Sequence, residues 1–331
     1  MPRIRTGVKK TSRTWQQTIV ERIRVGKVVP LIGNVVNNDL ILGGNQQLVD
    51  AYANYISFPL KNGMRNLPKM AQFFSVTDED ATDSRVIKED YINFIKNRLF
   101  DIAETEAVSA DLLAELEEEF DDVGFSEFSE RLGYPRFDQP EIDPLLVLAE
   151  MPLPIYLTTS YHNFIEVALR HVGKKPRTEI CRWHKGMEGI PSMLDENYLP
   201  TVEEPLVYHL HGFDTYPGSM VLTEDDYMEF LVAISQNVGR GADPIPRRIR
   251  QAMADSSLVL LGYDLSSWDF RVLFWGLIKP RPLQQTSVSV QIVSTEVEKS
   301  YLQKYLDEFE FKVYWGSIQE YARELRQRWE E

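Results

Sequence analysis

The sequence predicts an α/β protein: a Rossmann-like, doubly wound, mostly parallel sheet carrying a helical insertion. Three observations lead there. Short apolar runs recur along the 331-residue chain, at 28–32, 155–159, 206–210, 258–262, 288–293 and 311–314, and such runs suit strands buried on both faces. Stretches with a helical apolar period lie between them. The first four runs are each followed at once by glycine or short polar residues, as a strand-to-helix turn requires.

The elements follow in order. Residues 14–24 place Trp15, Ile19 and Ile23 on one helix face, and Gly26 stops the helix. Val28-Val29-Pro30-Leu31-Ile32 reads as a buried strand ended by Gly33. Residues 46–58 are apolar at Leu48, Ala51, Tyr52 and Tyr55, again with a helical period. From about 60 to 140 strand character is hard to find. Amphipathic helices are expected at 86–100 and 109–120, and Pro135, Pro140 and Pro144 punctuate a loop. This region reads as a helical insertion packed on one side of the sheet. Beyond it, helices at 162–172, 224–234, 246–254, 268–278 and 297–308 alternate with the remaining strands. The expected organisation is a basic arm over 1–13 and one α/β domain over 14–331, interrupted at about 60–140.

Composition narrows the function classes. Hydrophobic residues make up 43% and charged residues 26%, ordinary values for a globular protein. No apolar run reaches the roughly 18 residues that a membrane span needs, and the N-terminus has no apolar signal region. A cytoplasmic protein that does not enter membranes is expected. The net charge of −14 is uneven: residues 101–130 hold twelve acidic and no basic side chains, whereas 1–27 hold eight basic and one acidic. The acidic stretch argues against direct nucleic-acid binding, and the basic arm reads as a solvated tail. One cysteine, Cys181, allows no disulfide within the chain. Cys181 and His184 form a single C-x-x-H pair with no matching second pair, short of the four ligands of a structural zinc site. That pair reads as a solvated loop, and no metal is expected.

In open α/β sheets ligands bind beyond the carboxyl ends of the strands. The residues at those positions are Gly33-Asn34-Val35-Val36-Asn37-Asn38-Asp39, Ser160-Tyr161-His162-Asn163, His211-Gly212-Phe213 and Gly262-Tyr263-Asp264-Leu265-Ser266. Four stretches around them resemble the bacterial SIR2-like proteins, zinc-less relatives of sirtuins that consume NAD in antiviral defence. Val29-Pro30-Leu31-Ile32-Gly33 is similar to the strand entering the family's NAD loop. Tyr156-Leu157-Thr158-Thr159-Ser160-Tyr161-His162 is similar to its Thr-Thr-Asn-Tyr-Asp run. Tyr208-His209-Leu210-His211-Gly212, followed by Leu222-Thr223-Glu224-Asp225-Asp226-Tyr227, resembles the family's catalytic-histidine segment and is the most specific of the four. Leu260-Leu261-Gly262-Tyr263-Asp264-Leu265-Ser266-Ser267-Trp268-Asp269 resembles its late glycine turn. Together these frame residues 28–275.

The resemblance implies NAD as substrate, without zinc, lying across the strand ends. It implies His211 as the central catalytic group with Ser160 beside it. Contacts to NAD are implied at Gly33, Asn34 and Asn37 after the first strand. They are implied also at Thr159 and His162 after the second, and at Gly262, Tyr263, Asp264 and Asp269 in the late turn. Cleaving the nicotinamide bond develops positive charge on the ribose, so the protein has to orient the sugar and offer a base near neutral pH. The expected activity is NAD hydrolysis to nicotinamide and ADP-ribose, held off by homo-oligomerisation or by a partner subunit that senses infection.

The sequence departs from the family pattern at four positions. Val35 stands where a second glycine would let the backbone approach phosphates; Asn37 replaces a serine; Ser160 replaces the water-positioning asparagine; and His162 replaces an aspartate. Ser160 reads equally as an N-cap of the helix expected at 162–172. His209 reads as structural, on the same strand face as His211, and His162 reads as solvated. Asp269 also suits a helix start. These departures leave a second reading open, an inactive nucleotide-binding or scaffold subunit of a defence complex. A dehydrogenase is disfavoured because no G-x-G-x-x-G follows the first strand.

Overall fold

Strands β1 (Val28–Ile32), β2 (Ile155–Thr158), β3 (Arg177–Ile180), β4 (Leu206–His209), β5 (Ser257–Leu261), β6 (Ser287–Gln291) and β7 (Phe311–Trp315) form one sheet in the order 3-4-2-1-5-6-7. Each neighbouring pair is parallel. The structure is a computed structural model describing residues 14–36, 42–59, 66–78, 83–106, 108–192, 194, 197–236, 243–264, 267–279, 287–291, 296–309 and 311–331. The basic arm and Asn37 lie outside these residues.

Strand alternation produces the two covered faces. Val28, Ile32, Val207, Val259 and Leu261 pack on one side. There they meet α1 (Trp15–Arg24), α2 (Asn45–Tyr55), α8 (Phe164–His171) and α13 (Ile318–Glu330). Val29, Leu31, Leu157, Leu258 and Leu260 pack on the other, against α9 (Glu224–Gln236), α10 (Arg247–Asp255), α11 (Trp268–Leu273, prolonged by a wider π turn over Phe274–Ile278) and α12 (Glu296–Asp307). Because the period is two, neighbouring residues of a strand serve opposite cores. Pro30 is tolerated in the central strand because the ladder to β2 starts only at Leu31. In a parallel ladder Pro30 faces the same side as Ile32, whose carbonyl accepts Thr159 N–H at 3.0 Å, so the donor it lacks is one towards the start of β2 and the ladder to β5 is untouched.

Between β1 and β2 come α2, α3 (Leu67–Thr77), α4 (Ser84–Thr105), α5 (Ala110–Glu118), α6 (Phe125–Arg131) and α7 (Pro144–Glu150). The start of α9 is tied to them by a buried ion pair. Lys88 of α4 lies 3.0 Å from Asp226, and both side chains are under 10% exposed. Asp226 also accepts the Leu222 and Thr223 N–H groups at 3.0 Å, while Thr223 Oγ1 accepts Asp226 N–H at 3.1 Å. The Leu-Thr-Glu-Asp-Asp-Tyr stretch is therefore a reciprocal helix cap whose carboxylate also neutralises a buried lysine. No helix among the described residues is long and apolar enough to cross a membrane.

The sheet order reverses at β1. The chain runs from β1 to β2, β3 and β4 on one side, then returns to β5 on the other. At this boundary Gly33 and Gly262 cross. A Cβ on Gly33 would lie 2.5 Å from the Gly262 carbonyl oxygen, and one on Gly262 would lie 2.5 Å from Val36 Cγ2. Gly262 has φ +75°, in the left-handed region that other residues enter at a cost.

Three parts of the fold were not expected from the sequence. β3 is a four-residue edge strand, Arg-Thr-Glu-Ile, buried only at its last two positions, so it shows neither an apolar run nor alternation. Helices α3, α6, α7 and α13 lay in stretches assigned to no particular helix, and Pro144, expected in a loop, is the first residue of α7, where a proline's missing N–H is tolerated. Cys181, expected in a solvated loop, is fully buried beyond β3, where burial pushes its thiol up to about 12.

Gly262→Ala should destabilise the fold by about 1–3 kcal/mol, from the left-handed backbone alone, and by more through the clash. Adding Val36→Ala should restore the clash component only. Urea midpoints of the two single variants and the double variant check this; additive losses would mean that the two residues do not meet.

Candidate functional site

Beyond the carboxyl ends of β1, β2, β4 and β5 lies a cleft of about 290 Å³. Its walls come from four places in the chain. The helical residues that follow Gly33 after β1 supply Asn34 and Val35. The turn after β2 supplies Thr159 and Tyr161. His211 and Tyr227 come from beyond β4 and from α9, and Asp264 and Ser267 follow β5. The N-terminal turns of α2 and α3 close the remaining side with Asn45, Gln46, Asn66, Leu67 and Pro68. Position and size suit part of a nucleotide-sized ligand.

His211 is 1% exposed. Its ring packs edge-on against Tyr227 and Phe230, with centroids 5.2 and 5.0 Å away. Its Nε2 is buried without a hydrogen-bond partner. Burial among these rings lowers its pKa to about 3, because the site offers nothing to stabilise the charged form. The imidazole is therefore neutral at physiological pH. Asn34 Oδ1, on the same cleft, is a second buried atom without a partner.

His209 is different. Its Nδ1 lies 2.8 Å from the Ser160 carbonyl and its Nε2 lies 2.9 Å from Glu166 Oε1. Both partners are acceptors, so both ring nitrogens carry hydrogen and the ring is an imidazolium facing a carboxylate. Burial opposes that charge, but Glu166 outweighs it and the net shift is upward. Thr178 donates to the same Glu166 oxygen at 2.8 Å. The two histidines, expected on one strand face, point to opposite sides of the sheet: His209 to α8 and His211 to α9. The strand period ends with β4 at His209, so it no longer governs residue 211.

The remaining candidates divide. Thr159 lines the cleft, and its Oγ1 lies 3.2 Å from the Tyr263 hydroxyl. Gly33 and Gly262 make the crossing described above and are not among the cleft-lining residues. Asp264 is exposed at the cleft, with its carbonyl accepting Ser267 N–H at 2.9 Å. Asp269 lies in α11. Ser160 is fully buried and its Oγ accepts His162 N–H at 3.2 Å; the helix expected from 162 starts at Phe164 with Asn163 at its N-cap, so Ser160 closes a turn rather than capping a helix. His162, expected to be solvated, is 1% exposed. It is sandwiched by Phe125 of α6 and Phe164, at 4.4 and 5.3 Å. Burial, and then the His209 charge, lower its pKa to about 3. Neither Ser160 nor His162 is among the cleft-lining residues.

Sequence reasoning did not single out Asn45, Gln46, Asn66 or Tyr227 as site residues. Asn66-Leu67-Pro68 carried a usable signal, a capping side chain just before a proline in a first helical turn; Asn66 Oδ1 accepts Lys69 N–H at 2.9 Å. Cys181 and His184 have separate partners, the Pro244 carbonyl and the Gly218 carbonyl. Among the described residues no group of three or more His, Cys, Asp or Glu is placed to hold a metal ion.

Residues 154–314 match the SIR2-like domain model. The match starts just before β2 and ends within β7, a little under half of the chain, and leaves β1, α2 and α3 outside it. No curated protein matches the chain.

His162 yields a pH prediction. It is neutral in the fold above about pH 3 but titrates near 6.5 when unfolded. The unfolded state takes up the proton first, so stability drops as pH falls from 6.5 towards 3. At pH 5 the loss should be about 2 kcal/mol for this residue. His162→Leu should shrink the difference in urea midpoint between pH 7.5 and pH 5; an unchanged difference would show that the ring is protonated in the fold.

Proposed function

We propose that the protein is a SIR2-like NAD hydrolase of antiphage defence, cleaving NAD to nicotinamide and ADP-ribose, with its activity restrained by oligomerisation or by a partner subunit. The observation that carries this reading is His211, a neutral, buried imidazole with an unpartnered nitrogen, in a residue that lines the cleft at the sheet's reversal point. The SIR2-like match over residues 154–314 supports it, since that domain belongs to a family of NAD-dependent enzymes.

The chemistry fits the residues at hand. Loss of nicotinamide leaves an electron-poor ribose carbon, to which water adds while one proton is released. A neutral imidazole accepts a hydrogen bond from a ribose hydroxyl and can take up a proton as the sugar becomes more acidic. The buried ring is never charged before the reaction, so it does not repel the developing cation. Thr159 and Tyr161 wall the cleft near the end of β2 and hold the sugar in place. In this reading Ser160 shapes the 158–162 turn through the His162 N–H, and Asp264 accepts sugar hydroxyls from the open side.

A second reading, a nucleotide-binding subunit without turnover, draws on Val35. Its branched side chain lines the cleft where the resemblance calls for glycine.

Turnover separates the two. Purified protein should consume NAD and release nicotinamide, followed by chromatography, and His211→Ala should cut the rate by at least about a hundredfold. Because the free enzyme's His211 stays neutral well below pH 6.5, kcat/KM should show no acid limb near that value. No nicotinamide release, even with genomic-neighbour proteins and phage lysate, would leave the binding subunit as the reading.

A further inference from the structure

We propose that Gln72 of α3 and Lys88 of α4 are positioning residues for His211, which they reach through the first turn of α9; the proposal rests on His211 acting on the sugar. Neither side chain lines the cleft, and both residues precede the segment that matches the SIR2-like model.

The first turn of α9 carries two neighbouring aspartates, each held by a different helix. Asp226 meets Lys88 at 3.0 Å in the buried ion pair, and its second oxygen accepts the Leu222 and Thr223 N–H groups. Asp225 and Gln72 exchange two hydrogen bonds: Gln72 Nε2 donates to Asp225 Oδ2 at 2.9 Å, and Asp225 N–H donates to Gln72 Oε1 at 3.0 Å. The next residue, Tyr227, lines the cleft and sets its ring edge-on against His211, with 5.2 Å between centroids. A shift of this turn therefore moves the ring that covers His211. A second route starts at Lys88. Its Nζ lies 5.7 Å from the centre of the Trp183 ring, Trp183 packs on Phe230 at 6.2 Å, and Phe230 packs on His211 at 5.0 Å.

Hydrogen bonds are directional, so the exchange between Gln72 and Asp225 fixes the height of α9 against α3. The first turn of α3 supplies Leu67 and Pro68 to the cleft. One amide thus sets the spacing between the α3 wall and the wall that holds His211. The pair lies at the surface, where such contacts add little to stability. Lys88→Met, by contrast, leaves Asp226 buried without its cation and endangers the fold, so the test uses Gln72.

Gln72→Glu keeps an acceptor for Asp225 N–H but sets a carboxylate oxygen against Asp225 Oδ2. Adding Asp225→Asn supplies a donor there and re-forms both bonds. Melting temperatures of the single and double variants should stay within about 4 °C of the wild type. In protein with its five histidines isotope-labelled, the His211 magnetic-resonance signal is assigned by its loss in His211→Ala. That signal should move in Gln72→Glu, because the enclosing rings shift, and should return in the double variant. For NAD, kcat/KM should fall at least about tenfold in Gln72→Glu and recover in the double variant. An unmoved His211 signal, or a moved one with unchanged turnover, would overturn the proposal and leave the hydrolase intact. Changes that Asp225→Asn does not reverse would also overturn it, since they would come from the added charge rather than from the lost pair. A signal that moves and returns in a protein that releases no nicotinamide would uphold the placement of His211 and remove the hydrolase.

Discussion

The arrangement depends on a steric constraint at the reversal of the sheet: the chain must leave β1 and β5 side by side and cross within one carbonyl's reach. Gly33 N–H donates to the Leu261 carbonyl at 2.8 Å, and the absent side chain of Gly33 faces the Gly262 carbonyl. A methyl group at either position would force the two turns apart. Asn34 and Tyr263 follow the two glycines directly, so the crossing fixes where the chain leaves β1 and β5 towards the cleft residues Asn34 and Asp264. The alternation of β1 and β5 then sends side chains into both cores, so a displacement at the turns is felt in both layers.

Buried charges hold the walls of the cleft. Asp226 receives Lys88 and two backbone donors; His209 and Glu166 join β4 to α8. Asp214 accepts the Ser126 N–H and hydroxyl at the start of α6, although burial raises its pKa to about 6. The three pairings join α9 to α4, β4 to α8, and the segment after β4 to α6. Removing one partner of such a pair leaves a buried charge without compensation, which costs more than the intact pair contributes. Geometry, more than net stability, is what these pairs supply: Asp226 fixes the start of α9, and with it Tyr227 and Phe230, the two rings that enclose His211.

The fold was legible in the sequence where a signal was periodic. β1, β2, β4 and β5 are apolar runs because both of their faces are buried, and the helices between them repeat on one face. β3 was not legible because an edge strand needs little apolar surface, and Arg177 and Thr178 lie towards solvent. At the site, the strand-end rule found Asn34, Thr159, His211 and Asp264, which the cleft brings together. The rule could not tell which polar residues face a ligand and which face the protein. Ser160 and His162 follow β2 within four residues, yet Ser160 Oγ accepts the His162 N–H and the His162 ring packs against Phe164 at the start of α8 and Phe125 of α6. Burial by α6, some forty residues upstream in the chain, has no signature in the local sequence around residue 162.

The two buried neutral histidines show why burial alone does not mark a functional group. His162 and His211 have equal exposure and equally lowered pKa values, and each has one ring nitrogen without a partner. The environments differ in what lies beyond that nitrogen. Around His162 the neighbours are aromatic rings of the core, so a protonated state finds no acceptor and the ring serves as packing. Around His211 two rings cover the sides, but the residue borders a cleft whose other walls are amides, hydroxyls and two helix N-termini. In the proposed reading, a ligand hydroxyl entering there gives the desolvated nitrogen the bond it gave up on folding. A nitrogen satisfied by its own protein, as in His209, would have to break that bond first. The preference for His211 over its neighbours is thus a statement about which buried nitrogen can be completed only from outside.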